Sequence, residues 1–397
     1  MIHTRPSTGA GDRARVLLQS AVQTFAPPTG RGDPRAFHRR LPGYAPTPLV
    51  DAPRVAAALG VRRALVKDES RRLGMPAYKI LGASWATYRA LEERVGAFRS
   101  WDRLADLAAQ LRPHTPLTLV AATDGNHGRA VARMARWLGL GADILVPRDM
   151  APARIAAIVG EGARVTVVDG SYDDAVAAAA PRADARSLVI SDTAWEGYER
   201  VPGWVIDGYA TIYGEIDEQL TARGEGQPDV VAAQMGVGAL AASVVRHYRR
   251  PGSATTVLGV EPTRADCVLR SAEAGGMVEV PGPHVSIMAG LNCGRPSPVA
   301  WPYLSGGIGA FVAIPDARAE EAMRLLAEDE VESGESGAAG LGGLLELLAE
   351  PRAGEYRARL GVNAASSVLV ISTEGATDPE SYARIVGHVA EGATEQL

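Results

Sequence analysis

Hydrophobic positions along the chain fall into short runs of strand length, separated by longer stretches with helical spacing. The runs Ala64–Lys67, Leu117–Ala121, Asp143–Val146, Arg164–Val168, Leu188–Ser191, Val230–Ala233, Val257–Val260, Phe311–Ile314 and Val368–Ser372 are rich in apolar and β-branched residues and predict strands. Between them, Ala83–Val95, Gly128–Leu138, Ala151–Val159, Gly238–Tyr248, Ala317–Glu328 and Ser381–Val389 repeat their apolar residues every three or four positions and predict amphipathic helices. Strands that alternate with helices build βαβ units, so the fold class is α/β, with mostly parallel sheets flanked by helices. Before residue 45 the pattern is poorer. There Pro, Gly and Arg surround one predicted helix, Arg13–Phe25, and His38-Arg39-Arg40 reads as a solvated face.

Composition narrows this picture by exclusion. A chain of 397 residues is long enough for two or three domains. A net charge of −5 lacks the basic footprint of a protein that holds nucleic acid by its phosphates, so none is expected. Two cysteines exclude a disulfide-built scaffold and predict reduced, packed thiols, with a Cys267–Cys293 bridge over the site as the alternative. Segment 1–10 has no apolar stretch of a secretory signal, and no run is long enough to span a membrane, so the expected setting is cytoplasmic.

Several motifs carry chemistry. Gly236-Val237-Gly238-Ala239-Leu240-Ala241 follows a predicted strand and opens a helix, which fits the G-x-G-x-x-G/A dinucleotide fingerprint, with Glu261 placed as a ribose-binding acid. More broadly, glycines at a helix start bare backbone N–H groups to any phosphate. Lys79, between Tyr78 and Ile80, is an amine in apolar surroundings, where desolvation lowers the pKa and favours attack on an aldehyde. Thr123-Asp124-Gly125-Asn126-His127-Gly128 could be no more than a helix cap, yet it interleaves an acid, an amide and an imidazole. Together with Asp192–Tyr198 and Ser372-Thr373-Glu374-Gly375, four segments lie just beyond strand ends, where α/β sheets bind ligands.

Pro46-Thr47-Pro48-Leu49, Lys67-Asp68-Glu69-Ser70, Tyr78-Lys79-Ile80-Leu81-Gly82 and Asn126-His127-Gly128 resemble the fold type II pyridoxal-phosphate enzymes of the tryptophan-synthase-β kind. Within that group, the segments at Thr123, Asp192, Ala265-Asp266-Cys267, Ile287–Leu291, Ser333–Gly337 and Ser372–Gly375 are most similar to the 2,3-diaminopropionate ammonia-lyases. The resemblance runs from about Tyr44 to Glu391. It implies a large domain (1–95 and 195–397) with a small one (96–194) inserted, and commonly a homodimer.

Carried over position by position, the resemblance implies that Lys79 holds the cofactor, pyridoxal 5′-phosphate, as a Schiff base. Asn126 would bond the ring oxygen, and Gly236, Val237, Gly238 and Ala239 would cradle the phosphate. Ser372, with Thr373, would face the pyridine nitrogen and leave it largely unprotonated, which favours elimination over transamination. Asp124 and Asp192 would remove the α-proton from the D- and L-substrate respectively, and Ser84, Thr123, His127 and Glu335 are candidates for holding a small amino-acid substrate. No metal is expected. Tyr78, Ala83 and Trp85, which flank the lysine, stand where Phe, Gly and a smaller aromatic are usual and bear on substrate choice, while Ala239 in place of Ser removes one hydroxyl from the phosphate loop. The alternatives are a serine/threonine dehydratase or β-replacement enzyme, and, from another class, an NAD-dependent oxidoreductase built on Gly236–Ala241.

Overall fold

The structure, a computed structural model, describes residues 13–26, 32–349 and 353–387. Its strands are β1 (Arg15–Leu18), β2 (Leu49–Asp51), β3 (Arg63–Asp68), β4 (Thr118–Ala122), β5 (Gly141–Pro147), β6 (Arg164–Val168), β7 (Ser187–Val189), β8 (Val230–Gln234), β9 (Thr256–Pro262), β10 (Ala310–Ile314) and β11 (Ser367–Ser372). Seven of them form one sheet in the order β1-β10-β9-β8-β11-β3-β2, and four form a second, β6-β5-β4-β7. The second sheet is parallel throughout; the first is parallel except for β1 and β2, which pair antiparallel along its two edges. Buried on both faces, β8, β10 and β11 read in sequence as apolar runs, with polar residues only at their ends (Gln234, Ser367 and Ser372). Alternation still shows within them: Val231 and Ala233 join one core, while Val230 and Ala232 join the other.

Six helices position the site: α1 (Lys79–Val95), α2 (Asn126–Leu138), α3 (Tyr172–Ala179), α4 (Arg200–Gly208), α5 (Ala239–Tyr248) and α6 (Glu335–Leu348). The first packs almost backbone to backbone on α4. A Cβ on Gly208 would sit 2.6 Å from the Leu81 carbonyl oxygen, so only glycine permits this approach. Among the described residues, no helix is long and apolar enough to cross a membrane.

Two expectations near the N-terminus are corrected. The stretch Arg13–Phe25 is not a helix; its centre is β1, in register with Phe311 and its neighbours on β10. Cross-strand pairing at a sheet edge overrides the local propensity there. His38 is buried rather than solvated: Nδ1 meets Thr211 Oγ1 at 2.7 Å and Nε2 meets the Leu81 carbonyl at 3.0 Å. Burial pushes its pKa down to about 3, so the ring is neutral. Segment 1–10 and residues 388–389, the end of the helix expected at Ser381–Val389, lie outside the described residues.

Candidate active site

Four strand ends, two from each sheet, converge on one cleft of about 620 Å³ including its mouth. The turn after β4 brings Asp124 and Asn126, and β7 leads to Asp192; β8 delivers 236–239, and β11 delivers Thr373 and Glu374. Lys79 enters from the first turn of α1. The chain before it is laced to the end of β11, because Tyr78 N donates to the Thr373 carbonyl (3.1 Å) and Gly375 N to that of Pro76 (3.0 Å). The lysine and the strand end that faces it are therefore held as one piece.

The chain has only two lysines. Lys67 is wholly buried away from the cleft, donating to the Thr47 carbonyl (2.7 Å), Glu215 (2.9 Å) and Gln219 (3.0 Å). Lys79 is the lysine that reaches the cleft, with its Nζ 2.6 Å from Asp192 Oδ2. Burial alone would lower its pKa, but the Asp192 charge reverses this and holds it well above the usual lysine value. The expected depression is thus corrected: Lys79 rests as an ammonium and must give up a proton before it can attack an aldehyde.

The two aspartates sit in different surroundings. Burial pushes Asp192 up, but the Lys79 charge and hydrogen bonds from Lys79 and Tyr172 (OH to Oδ1, 3.0 Å) hold it well below the usual carboxylate range. Burial also pushes Asp124 up, and there Lys79 offsets only part, leaving the pKa raised. Neighbouring acids whose pKa values are driven apart can take different roles in one reaction.

Opposite the lysine, residues 236–239 round the start of α5 with Gly238 as its N-cap at φ +94°. A side chain there would be strained by the backbone and would overlap Leu304 Cδ1. The turn therefore keeps bare backbone N–H groups at the end of a ten-residue helix, a cradle suited to phosphate. Glu261, placed in sequence as a ribose acid, is instead buried and accepts from the N–H groups of Val268 and Leu269, both at 2.8 Å. With that acid committed to another helix start, the dinucleotide reading loses its ribose anchor.

Several predicted residues fall elsewhere. Ser84 Oγ turns to its own helix at the Leu81 carbonyl (3.4 Å), and Thr123 Oγ1 accepts from Gly125 N and Gly128 N (both 2.9 Å). Glu335 accepts from Ser381 Oγ at 2.6 Å, and Ser372 Oγ donates to Ser333 Oγ at 2.8 Å. None of these four lines the cleft. His127 lies behind it: Nε2 meets the Ile190 carbonyl (2.8 Å), and Nδ1, 3.9 Å from Asp192, has no hydrogen-bond partner among the described residues.

Other residues enter that sequence reasoning missed. Glu374 takes the Asn126 amide on Oε2 and Ser336 N on Oε1 (3.2 Å), and burial pushes its pKa up. Tyr172 crosses from α3 to Asp192, and Gln234 bonds Thr373. The signal for Glu374 stood in the Ser372–Gly375 motif; nothing local marked Tyr172 or Gln234. Cys293 lines the cleft, and both it and Cys267 are free, buried thiols.

The donor set fits one cofactor: an aldehyde partner at Lys79, a phosphate cradle at 236–239 and an amide at Asn126, all in one cleft. Comparison with known proteins agrees. Residues 40–372 match the family described as pyridoxal-phosphate dependent enzyme. The diaminopropionate ammonia-lyase of Escherichia coli (strain K12) is 38% identical over 364 residues, covering 89% of this chain and 90% of that protein. The crystal structure of the Escherichia coli enzyme with D-serine superposes with a TM-score of 0.86 at 36% identity, covering 94% of this chain and 97% of that one. Its complex with an aminoacrylate–PLP azomethine reaction intermediate gives 0.83, also at 36% identity and with the same coverage. The chain belongs to the fold type II pyridoxal-phosphate dependent enzymes, in the family of the diaminopropionate ammonia-lyases, and pyridoxal phosphate is its cofactor.

Proposed function

We propose that this chain eliminates the β-amino group of 2,3-diaminopropionate, of either hand, to give ammonia and aminoacrylate, which water converts to pyruvate and a second ammonia. The observation that carries the proposal is the meeting in one cleft of the one available lysine with two carboxylates and a glycine cradle. Bound pyridoxal phosphate supplies the electron sink that lets the substrate lose its Cα proton.

The protein's own groups do the rest. Backbone N–H groups of 236–239 would hold the phosphate, Asn126 Nδ2 would serve the ring oxygen, and Thr373, which lines the cleft where Ser372 does not, would face the ring nitrogen. Asp192, already ionised, takes the Cα proton of the L-isomer onto a carboxylate oxygen; Asp124 takes that of the D-isomer. The electron pair left at Cα expels the β-nitrogen as ammonia. Unpaired acid in the cleft also attracts a substrate with a second ammonium, a group that serine and threonine lack.

The proposal includes a homodimer in the cytoplasm that binds no nucleic acid, the last supported by the net charge of −5. It also takes residues 96–194 as a smaller inserted domain, supported by the four-stranded sheet, whose strands all lie between 118 and 189. The test is pyruvate release from D- and L-diaminopropionate beside serine and threonine. Turnover of both diaminopropionate isomers ahead of the hydroxy acids is expected; faster turnover of threonine refutes the substrate.

A further inference from the structure

Gln234, the last residue of β8, sends its side chain not toward the phosphate cradle but to the end of β11. Its Nε2 lies 2.7 Å from Thr373 Oγ1, 3.0 Å from the Ile371 carbonyl and 3.2 Å from the Gly337 carbonyl. Chemistry fixes which way the amide points. Two of these three neighbours are carbonyl oxygens, which accept and cannot donate, so the group that faces them must be the NH2. Turning the amide over would set Oε1 against two other oxygens in a site only 3% exposed.

The consequence falls on Thr373. Facing an NH2, its oxygen must accept, so its hydrogen goes elsewhere, and among the described residues the hydroxyl donates to no protein group. The residue lines the cleft. We infer that Gln234 is a positioning residue that fixes Thr373 as a hydrogen-bond donor into the cleft, so that the cofactor ring nitrogen opposite is held as an unprotonated acceptor. The inference rests on the placement of Thr373 at that nitrogen proposed above.

Glu374 is the neighbour that could do the opposite, by pairing with a protonated ring nitrogen. Both of its oxygens already accept, from Asn126 Nδ2 and Ser336 N. A ring nitrogen without its proton withdraws electrons less. The pair left at the substrate Cα is then stored less in the ring and spent more readily on expelling a β-substituent. Gln234, which also lines the cleft, acts through Thr373 and thereby biases the enzyme toward elimination and away from transamination.

The experiment loads the full-length protein with cofactor labelled with 15N at the ring and reads that nitrogen by NMR. In the wild type the resonance lies in the neutral-pyridine range. In Gln234→Glu the hydroxyl that takes the place of Nε2 gives its one proton to a backbone carbonyl and turns only lone pairs toward Thr373 Oγ1, so Thr373 turns its hydrogen away from the cleft. The resonance then moves toward pyridinium, and the share of turnovers ending in the pyridoxamine form rises with it. The double variant Gln234→Glu/Thr373→Val reverses the shift, because no oxygen remains to accept from a pyridinium.

The size-matched Gln234→Met, which frees Thr373 to turn either way, moves the resonance in the same direction by less. It serves if the glutamate variant does not fold. An unmoved resonance in the folded Gln234 variants, or the same shift in the double variant, overturns the inference. Failure of the wild type to take up cofactor would instead refute the proposed function, so the two failures are distinguishable.

Discussion

Replacing Gly238 by alanine tests the phosphate cradle through two separable costs. The first is the backbone: at φ +94° a non-glycine residue loses roughly 1–2 kcal/mol. The second is space, because the new Cβ overlaps Leu304 Cδ1, and Leu304 is fully buried; overpacking of this kind costs about 1–3 kcal/mol. Together they predict a loss of about 2–5 kcal/mol. Gly252 supplies the control, since at φ +86° it meets nothing within 4 Å of an added Cβ and its alanine variant incurs the backbone term alone. Urea midpoints of the two variants, measured side by side, give the spatial term as their difference. Adding Leu304→Ala should recover that term from Gly238→Ala as a favourable coupling in a double-mutant cycle. Cofactor titration into the apoprotein should show weakened binding for Gly238→Ala and unchanged binding for Gly252→Ala. Equal midpoints and equal cofactor affinities in the two variants would refute the cradle.

Other predictions concern the acids. Asp192→Asn should lower turnover of the L-isomer about 10²–10⁴-fold, the usual contribution of a positioned base, and spare the D-isomer, with Asp124→Asn doing the reverse; parallel losses on both isomers contradict the two-base assignment. Because Asp192 is held below and Asp124 above the ordinary carboxylate value, L-isomer activity should persist to lower pH than D-isomer activity when kcat/KM is followed against pH. Tyr172→Phe removes the 3.0 Å donor to the ionised Asp192, a bond worth about 1.5–3 kcal/mol, and should cost the L-isomer about 10- to 150-fold in kcat/KM. Burial raises Glu261 from 4.5 to about 8, so the folded state keeps a proton that the unfolded chain has lost. Stability should therefore fall as pH rises from 4.5 toward 8, by on the order of a few kcal/mol, and Glu261→Gln should flatten that decline in urea melts.

What the sequence revealed and what it hid have physical causes. Strands such as Val368–Ser372 and Val230–Ala233 were legible because burial on both faces leaves an apolar run, and their ends then located the cleft. The edge strand Arg15–Leu18 was not, since it owes its conformation to a partner almost 300 residues away. Residue type and order were enough to find Lys79, Asp124, Asn126 and Asp192. They could not show which neighbour each would meet. Lys79 was expected to be a depressed amine, but its proximity to Asp192, 113 residues on, reverses the sign. Ser372 and Thr373 are adjacent in sequence, yet only the second lines the cleft, a distinction that needs the turn at the end of β11. Glu374 and Gln234 looked ordinary until the strands met.

The central claim, that Lys79 anchors the cofactor in this cleft, is open to one direct measurement. Borohydride reduction of the holoenzyme, followed by digestion and peptide mass mapping, locates the fixed pyridoxyl group, and with two lysines in the whole chain the readout has few alternatives. The account predicts the label on the Lys79 peptide, with none on Lys67 and none in Lys79→Ala. A label on Lys67, or a reduced holoenzyme that carries no label at Lys79, would contradict it.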